Sequence, residues 1–136
     1  MKKISILLML LGAFSYAHSQ DVKVTAKLSG ASEVPAAKSS ASGTFAGVLN
    51  PETRVLKFTL TYSGITPSAG HIHKGAAGAN GPVVIPFTSV AKSPVTQEVT
   101  LTPEQLTDLK ANLLYTNLHT AAFPGGEIRG QLAIVK

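Results

Sequence analysis

The chain of 136 residues carries 12 lysines and arginines, 7 acidic residues and no cysteine, for a formal net charge of +5. The absence of cysteine excludes disulfides, thiol nucleophiles and sulfur metal ligands. The basic residues occur singly, without a stripe of interleaved aromatics, so we expect no nucleic-acid partner.

The N-terminus has the pattern of a secretory signal peptide. Lys2 and Lys3 precede an almost entirely apolar run from Ile4 to Phe14, and small and polar residues follow. Because this run is shorter than the roughly 20 residues of a membrane-spanning helix, it predicts a secreted or periplasmic protein without a membrane span. We expect cleavage after Ser19, with cleavage after Ala17 as the alternative.

The mature chain, residues 20–136, begins with strand patterns. Val22–Leu28 alternates apolar and polar residues with the period of two that a half-buried strand requires. A small, polar loop follows from Gly30 to Ser42. Thr44–Leu49 and Leu56–Tyr62 then flank the turn Asn50–Thr53 and predict a β-hairpin.

Shorter strands follow in the second half. His71–His73 lies on a predicted strand, and the glycine-rich segment 74–82 comes directly after it. Val83–Phe87 and Val95–Leu101 are predicted strands as well. Because a strand and not a helix follows the glycine-rich segment, we do not expect that segment to bind phosphate.

One short helix is predicted before the last strands. Thr102 is its N-cap, Pro103 takes the first helical position and Gln105 completes a capping box. The helix should end between Leu109 and Asn112.

The chain closes with Leu113–Thr120, a turn at Phe123–Gly126 and a final strand over Glu127–Val135. Seven or eight short strands with Gly and Pro turns predict an all-β fold, an antiparallel Greek-key β-sandwich or barrel with one short helix. We expect a single domain.

Three histidines of the mature chain form the candidate site. His71 and His73 are two apart on one strand and should point to the same face. If the strand that carries His119 lies beside them, three imidazoles can converge on one metal ion, with Glu127 orienting His119. The competing interpretation is structural: the rings cap backbone groups on a half-exposed strand face.

The sequence offers no other catalytic group, so we assign no catalytic residue. Its only aspartates, Asp21 and Asp108, lie at the mature terminus and on the predicted helix, and no nucleophile–base–acid set can be assembled. Glu127 and Arg129 are two apart on the final strand and share a face, which favours a structural role for both.

The motifs resemble the CHRD domain, which is named for its repeats in chordin and also occurs singly in exported bacterial proteins. The resemblance rests on four segments and spans about residues 22–135: His71–Gly75, Gly78–Val84, Tyr115–Thr120 and Phe123–Gly130. It implies an extracellular interaction domain, since chordin is an extracellular antagonist of bone morphogenetic proteins. It implies no specific activity.

A weaker resemblance is to copper/zinc superoxide dismutases. It would match His71, His73 and His119 to copper ligands and Arg129 to an arginine that guides the anion. Gly70 directly before His71 alters the spacing of that motif. The chain also lacks a fourth copper histidine, the zinc loop and the disulfide cysteines. The resemblance therefore implies a shared sandwich more than a shared reaction.

From the sequence we favour a non-enzymatic binding or adhesion module whose partner is an extracellular protein. The alternative is a copper- or zinc-binding module built on His71, His73 and His119. Dismutase-like redox activity is a more remote alternative for the same site. A fourth ligand would discriminate between them, and the sequence offers only Glu127, water or an N-terminal group.

Overall fold

The computed structural model describes residues 19–135, so the predicted signal peptide lies outside the described residues except for Ser19. The described chain forms nine strands and one short α-helix. Their bounds are Val22–Ser29 (β1), Ser42–Leu49 (β2), Val55–Ser63 (β3), Ala69–Lys74 (β4), Val83–Pro86 (β5), Val95–Thr100 (β6), Pro103–Lys110 (α1), Leu114–His119 (β7), Ile128–Gln131 (β8) and Ala133–Val135 (β9).

All strand pairs are antiparallel, in the order β5-β4-β7-β8-β1-β2-β3-β6, and β9 also pairs with β1. One half of this order is β5-β4-β7-β8 and the other is β1-β2-β3-β6. The chain crosses between these halves after β3, after β5 and after β6. Together with the curl of the sheet, these crossings confirm the all-β antiparallel sandwich or barrel fold.

Glutamine side chains join the two ends of the sheet. Gln97 on β6, at one end of the strand order, donates to the carbonyl of Pro86 on β5, at the other end, and accepts from the Thr88 amide. The side-chain amide of Gln105, on α1, donates to the carbonyl of Val84 on β5. These bonds satisfy backbone groups at and beside the edge strand β5, which could otherwise pair with a strand of another chain.

The core follows from the alternation of the long strands. Inward-facing residues such as Val24, Leu28 and Leu60 are at most 2% exposed. The rings of Phe45 and Phe58 stack with centroids 4.7 Å apart at the centre of this cluster. Burial of these side chains supplies the main favourable free energy of folding in a chain without disulfides.

The predicted helix start is confirmed. The Thr102 hydroxyl accepts from the Gln105 amide, and the Gln105 side chain accepts from the Thr102 amide. Lys74 at the end of β4 forms ion pairs with Glu104 and Asp108 and so ties the helix to β4. In the described part of the chain, no helix has the length and apolarity needed to span a membrane.

The final strand differs from the prediction of one continuous element over Glu127–Val135. It divides at Leu132, which is fully buried and whose amide donates to the carbonyl of Leu114. Before that residue β8 pairs mainly with β7, and after it β9 pairs with β1. At this bend Leu132 is buried in the core, and the chain changes its partner strand from β7 to β1.

Replacing Phe45 with Ala should lower the free energy of unfolding by about 3–5 kcal/mol, because it opens a cavity beside Phe58. Urea denaturation measures the change. Val48→Ala on the same strand is the matched control: Val48 is 46% exposed, so its loss should stay below about 1 kcal/mol. Equal losses in both variants would contradict the assignment of the core.

Candidate metal centre

The register of β4 and β7 places the histidines together. Ala69 pairs with His119, His71 with Asn117 and His73 with Tyr115. The alternate residues Gly70 and Ile72 point into the core. All three histidines therefore stand on the face of the sheet opposite the core, as their period-two spacing predicts.

One nitrogen from each of the three rings lies within 4.8 Å of the others. Nδ1 of His71 and Nε2 of His119 are 3.1 Å apart. His73 is 8% exposed, whereas His71 and His119 are half-buried. The structure thus brings together all three histidines of the predicted candidate site.

Backbone carbonyls fix the tautomers of two rings. Nδ1 of His73 lies 2.9 Å from the carbonyl oxygen of Gly81, and Nδ1 of His119 lies 2.9 Å from that of Pro124. Because a carbonyl only accepts, both Nδ1 atoms carry the proton. In the neutral rings both Nε2 atoms then carry a lone pair, and both rings are anchored in the way metal-ligating histidines usually are.

Nε2 of His73 is one of three buried side-chain atoms in the described residues that have no hydrogen-bond partner; the others are Oε1 of Glu33 and Oδ1 of Asn117. A buried polar atom without a partner is rare and costs about 1–3 kcal/mol. The lone pair of Nε2 of His73 belongs to the same cluster as the lone pair of His119.

Burial lowers the pKa of His71 and of His73, and the neighbouring histidines lower both further. The hydrogen bond to Gly81 and the nearby side chain of Asn117 oppose this effect at His73. The net direction favours neutral imidazoles at pH 7, which is the form that binds a metal ion.

The glycine-rich segment reaches the site because Gly81 has no side chain. A Cβ atom there would lie 1.6 Å from the carbonyl oxygen of Lys74. The close approach lets the Gly81 amide donate to the Tyr115 hydroxyl while its carbonyl accepts from His73. The ring of Tyr115 stacks on that of His73 at 4.8 Å and 4°.

Arg129 lies behind this stack and is 4% exposed. Its guanidinium sits 4.1 Å from the centre of the Tyr115 ring and pairs with Glu33 at 2.9 Å. It also donates to the Ala79 carbonyl and the Asn80 side chain. Sequence reasoning missed Glu33, because a loop residue with no local pattern gives no signal of a distant partner.

Glu127 does not contact His119 as we expected. Its carboxylate accepts from the hydroxyls of Ser39 and Thr120, and the Pro124 carbonyl holds His119 instead. Glu127 therefore ties the loop before β2 to the turn before β8. Arg129 pairs with Glu33 and not with Glu127, which lies two positions before it.

The four motif segments named above meet around this cluster: two strands carry the histidines, and two loops supply the carbonyls. The family model of the CHRD domain matches residues 24–132. The chain belongs to the CHRD family. No curated protein and no solved structure matches this CHRD protein.

Arg129→Gln should destabilise this CHRD domain by about 3–5 kcal/mol, because it leaves the buried carboxylate of Glu33 without its cation. Burial raises the pKa of Glu33. The deficit should therefore shrink as the pH is lowered from 7 towards the raised pKa of this carboxyl, because protonation removes the unpaired charge. Urea denaturation at several pH values measures both effects.

Lys57→Gln is the matched control, since it breaks an ion pair with Glu98 in which both side chains are more than half exposed. Its loss should not exceed about 1 kcal/mol. If Arg129→Gln cost no more than Lys57→Gln, the buried pair would not hold the loops.

Proposed function

We propose that this CHRD protein is an exported metal-binding module in which His71, His73 and His119 hold one divalent transition-metal ion. The observation that carries the proposal is the unsatisfied, buried Nε2 of His73 within a cluster of three imidazoles. Two of the rings are anchored through the opposite nitrogen, as ligating histidines require.

The purely structural interpretation accounts for only part of this arrangement. It explains why His73 and His119 donate to backbone carbonyls. It does not explain why the buried Nε2 of His73 has no hydrogen-bond partner beside two further imidazoles, since that costs free energy. In the metal-free cluster Nδ1 of His71 donates to Nε2 of His119; a bound metal ion would take one lone pair from each ring once the proton of His71 moves to its Nε2.

Copper is the metal that the donors favour. Imidazole donors suit copper, zinc and nickel. The Irving–Williams order ranks copper above zinc.

A dismutase-like reaction is not part of the proposal. The resemblance assigned the guidance of an anion to Arg129, but that side chain is 4% exposed and occupied by Glu33, Ala79 and Asn80. A binding or adhesion role towards an extracellular protein stays a prediction, which membership of the CHRD family supports. It is compatible with a metal site.

Calorimetry on the metal-free mature domain should show one saturable Cu(II) site per chain, with weaker binding of Zn(II). His71→Ala, His73→Ala and His119→Ala should each abolish saturation at micromolar copper, because two imidazoles remain. Affinity should fall as the pH drops through the lowered pKa values of His71 and His73, that is at a pH below the ordinary imidazole pKa of about 6.5, since protons then compete for the rings.

Glu98→Ala is the control, because it removes an exposed carboxylate on β6 and should leave the stoichiometry unchanged. Equal copper uptake by the wild type and by the His71→Ala/His73→Ala double variant would refute the metal site. Each variant needs a circular dichroism spectrum to show that it folds.

Export is the second part of the proposal, and the basic and apolar pattern of the N-terminus supports it. Mass spectrometry of the protein from the periplasm or medium should give a mature chain that starts at Gln20. A start at His18 would place the cut after Ala17, and an intact precursor in the cytosol would contradict export.

A further inference from the structure

We infer that the metal held by His71, His73 and His119 completes its coordination with a small anion from outside the chain. This inference rests on the proposed function and adds the chemical class of the exogenous ligand. Three histidines provide three donors, and a Cu(II) or Zn(II) ion takes at least four. The source of the remaining donor follows from the placement of every acidic group in the chain.

The mature chain contains seven carboxylate side chains, and the structure gives each a partner outside the histidine cluster, while Oε1 of Glu33 stays buried without a hydrogen bond. The pairs are Asp21 with Asn50, Glu33 with Arg129, Glu52 with the Ser19 amide, Glu98 with Lys57, Glu104 and Asp108 with Lys74, and Glu127 with Ser39 and Thr120. The metal group in the described residues contains histidines only.

The N-terminal group lies at the wrong end of the domain. The Ser19 amide bonds to Glu52, beside the start of β1. The site lies near the other end of β1. Ser29 at that end pairs with Arg129, Arg129 pairs with Asn117, and Asn117 pairs in turn with His71. Seven residues of strand separate these ends by about 23 Å. The mature amine therefore cannot reach the histidines.

The charge of the site selects an anion. Neutral imidazoles leave the two positive charges of the ion without a compensating ligand, and no carboxylate joins them. Glu33 is the carboxylate whose charge acts on His119, but the ion pair of its Oε2 with Arg129 balances that charge and holds the side chain behind the cluster. His71 and His119 are partly exposed while His73 is buried, so the ligand approaches from the side of the first two. Hydroxide and azide are small anions that bind through one atom and could reach the ion from this side.

Sodium azide tests the inference on the mature protein loaded with one equivalent of Cu(II). We expect a saturable azide-to-copper charge-transfer band in the near ultraviolet, a parallel change in the electron paramagnetic resonance spectrum, and retention of copper after dialysis. Copper that stays bound but shows neither change at 100-fold excess of azide would overturn the inference and leave the proposed function standing. Failure to bind copper at all would remove both.

Glu127→Gln separates an exogenous ligand from a carboxylate that swings into the site. Since Glu127 bonds to Ser39 and Thr120 and not to a histidine, the variant should keep the wild-type azide affinity and copper spectrum. A changed copper spectrum and a tighter azide complex, in a variant with wild-type circular dichroism, would show that Glu127 is the fourth ligand and would refute the inference.

Discussion

The candidate site depends on the antiparallel register of β4 and β7. Side chains alternate between faces along a strand, so a slip of β4 by one residue would turn His71 and His73 towards the core, and a slip of β7 would turn His119. Burial of Ile72 and Leu118, both fully inaccessible, opposes any such slip. The apolar core therefore determines where the imidazoles stand, although no apolar side chain takes part in the proposed chemistry.

A polar network around Arg129 also positions the candidate site. Arg129 connects Glu33 to Asn80, and the Asn80 side chain also donates to the carbonyl of Val34. The glycine-rich segment is thereby held against the loop after β1, with the Gly81 carbonyl in reach of His73. A buried charge pair contributes little net stability by itself. The pair of Arg129 and Glu33 positions the glycine-rich segment, whose backbone would otherwise be conformationally free.

Local patterns were enough to predict most of the strands, the helix and the shared face of the histidines. Alternation identified the β2–β3 hairpin, and the capping box located the start of α1. Nothing local could reveal the pairing of Glu33 with Arg129, which are 96 residues apart. The assignment of Glu127 to His119 failed for a related reason: spacing along a strand fixes a face, but the loop that covers the face decides which acceptor reaches the ring.

The most direct test is a crystal structure of the copper-loaded mature domain, with anomalous diffraction data collected on both sides of the copper absorption edge. The account predicts one anomalous peak within about 2.0–2.1 Å of Nδ1 of His71 and of the Nε2 atoms of His73 and His119. The bonds from Nδ1 of His73 to Gly81 and from Nδ1 of His119 to Pro124 should persist. A peak elsewhere, or none at these rings in a protein saturated with copper, would contradict it.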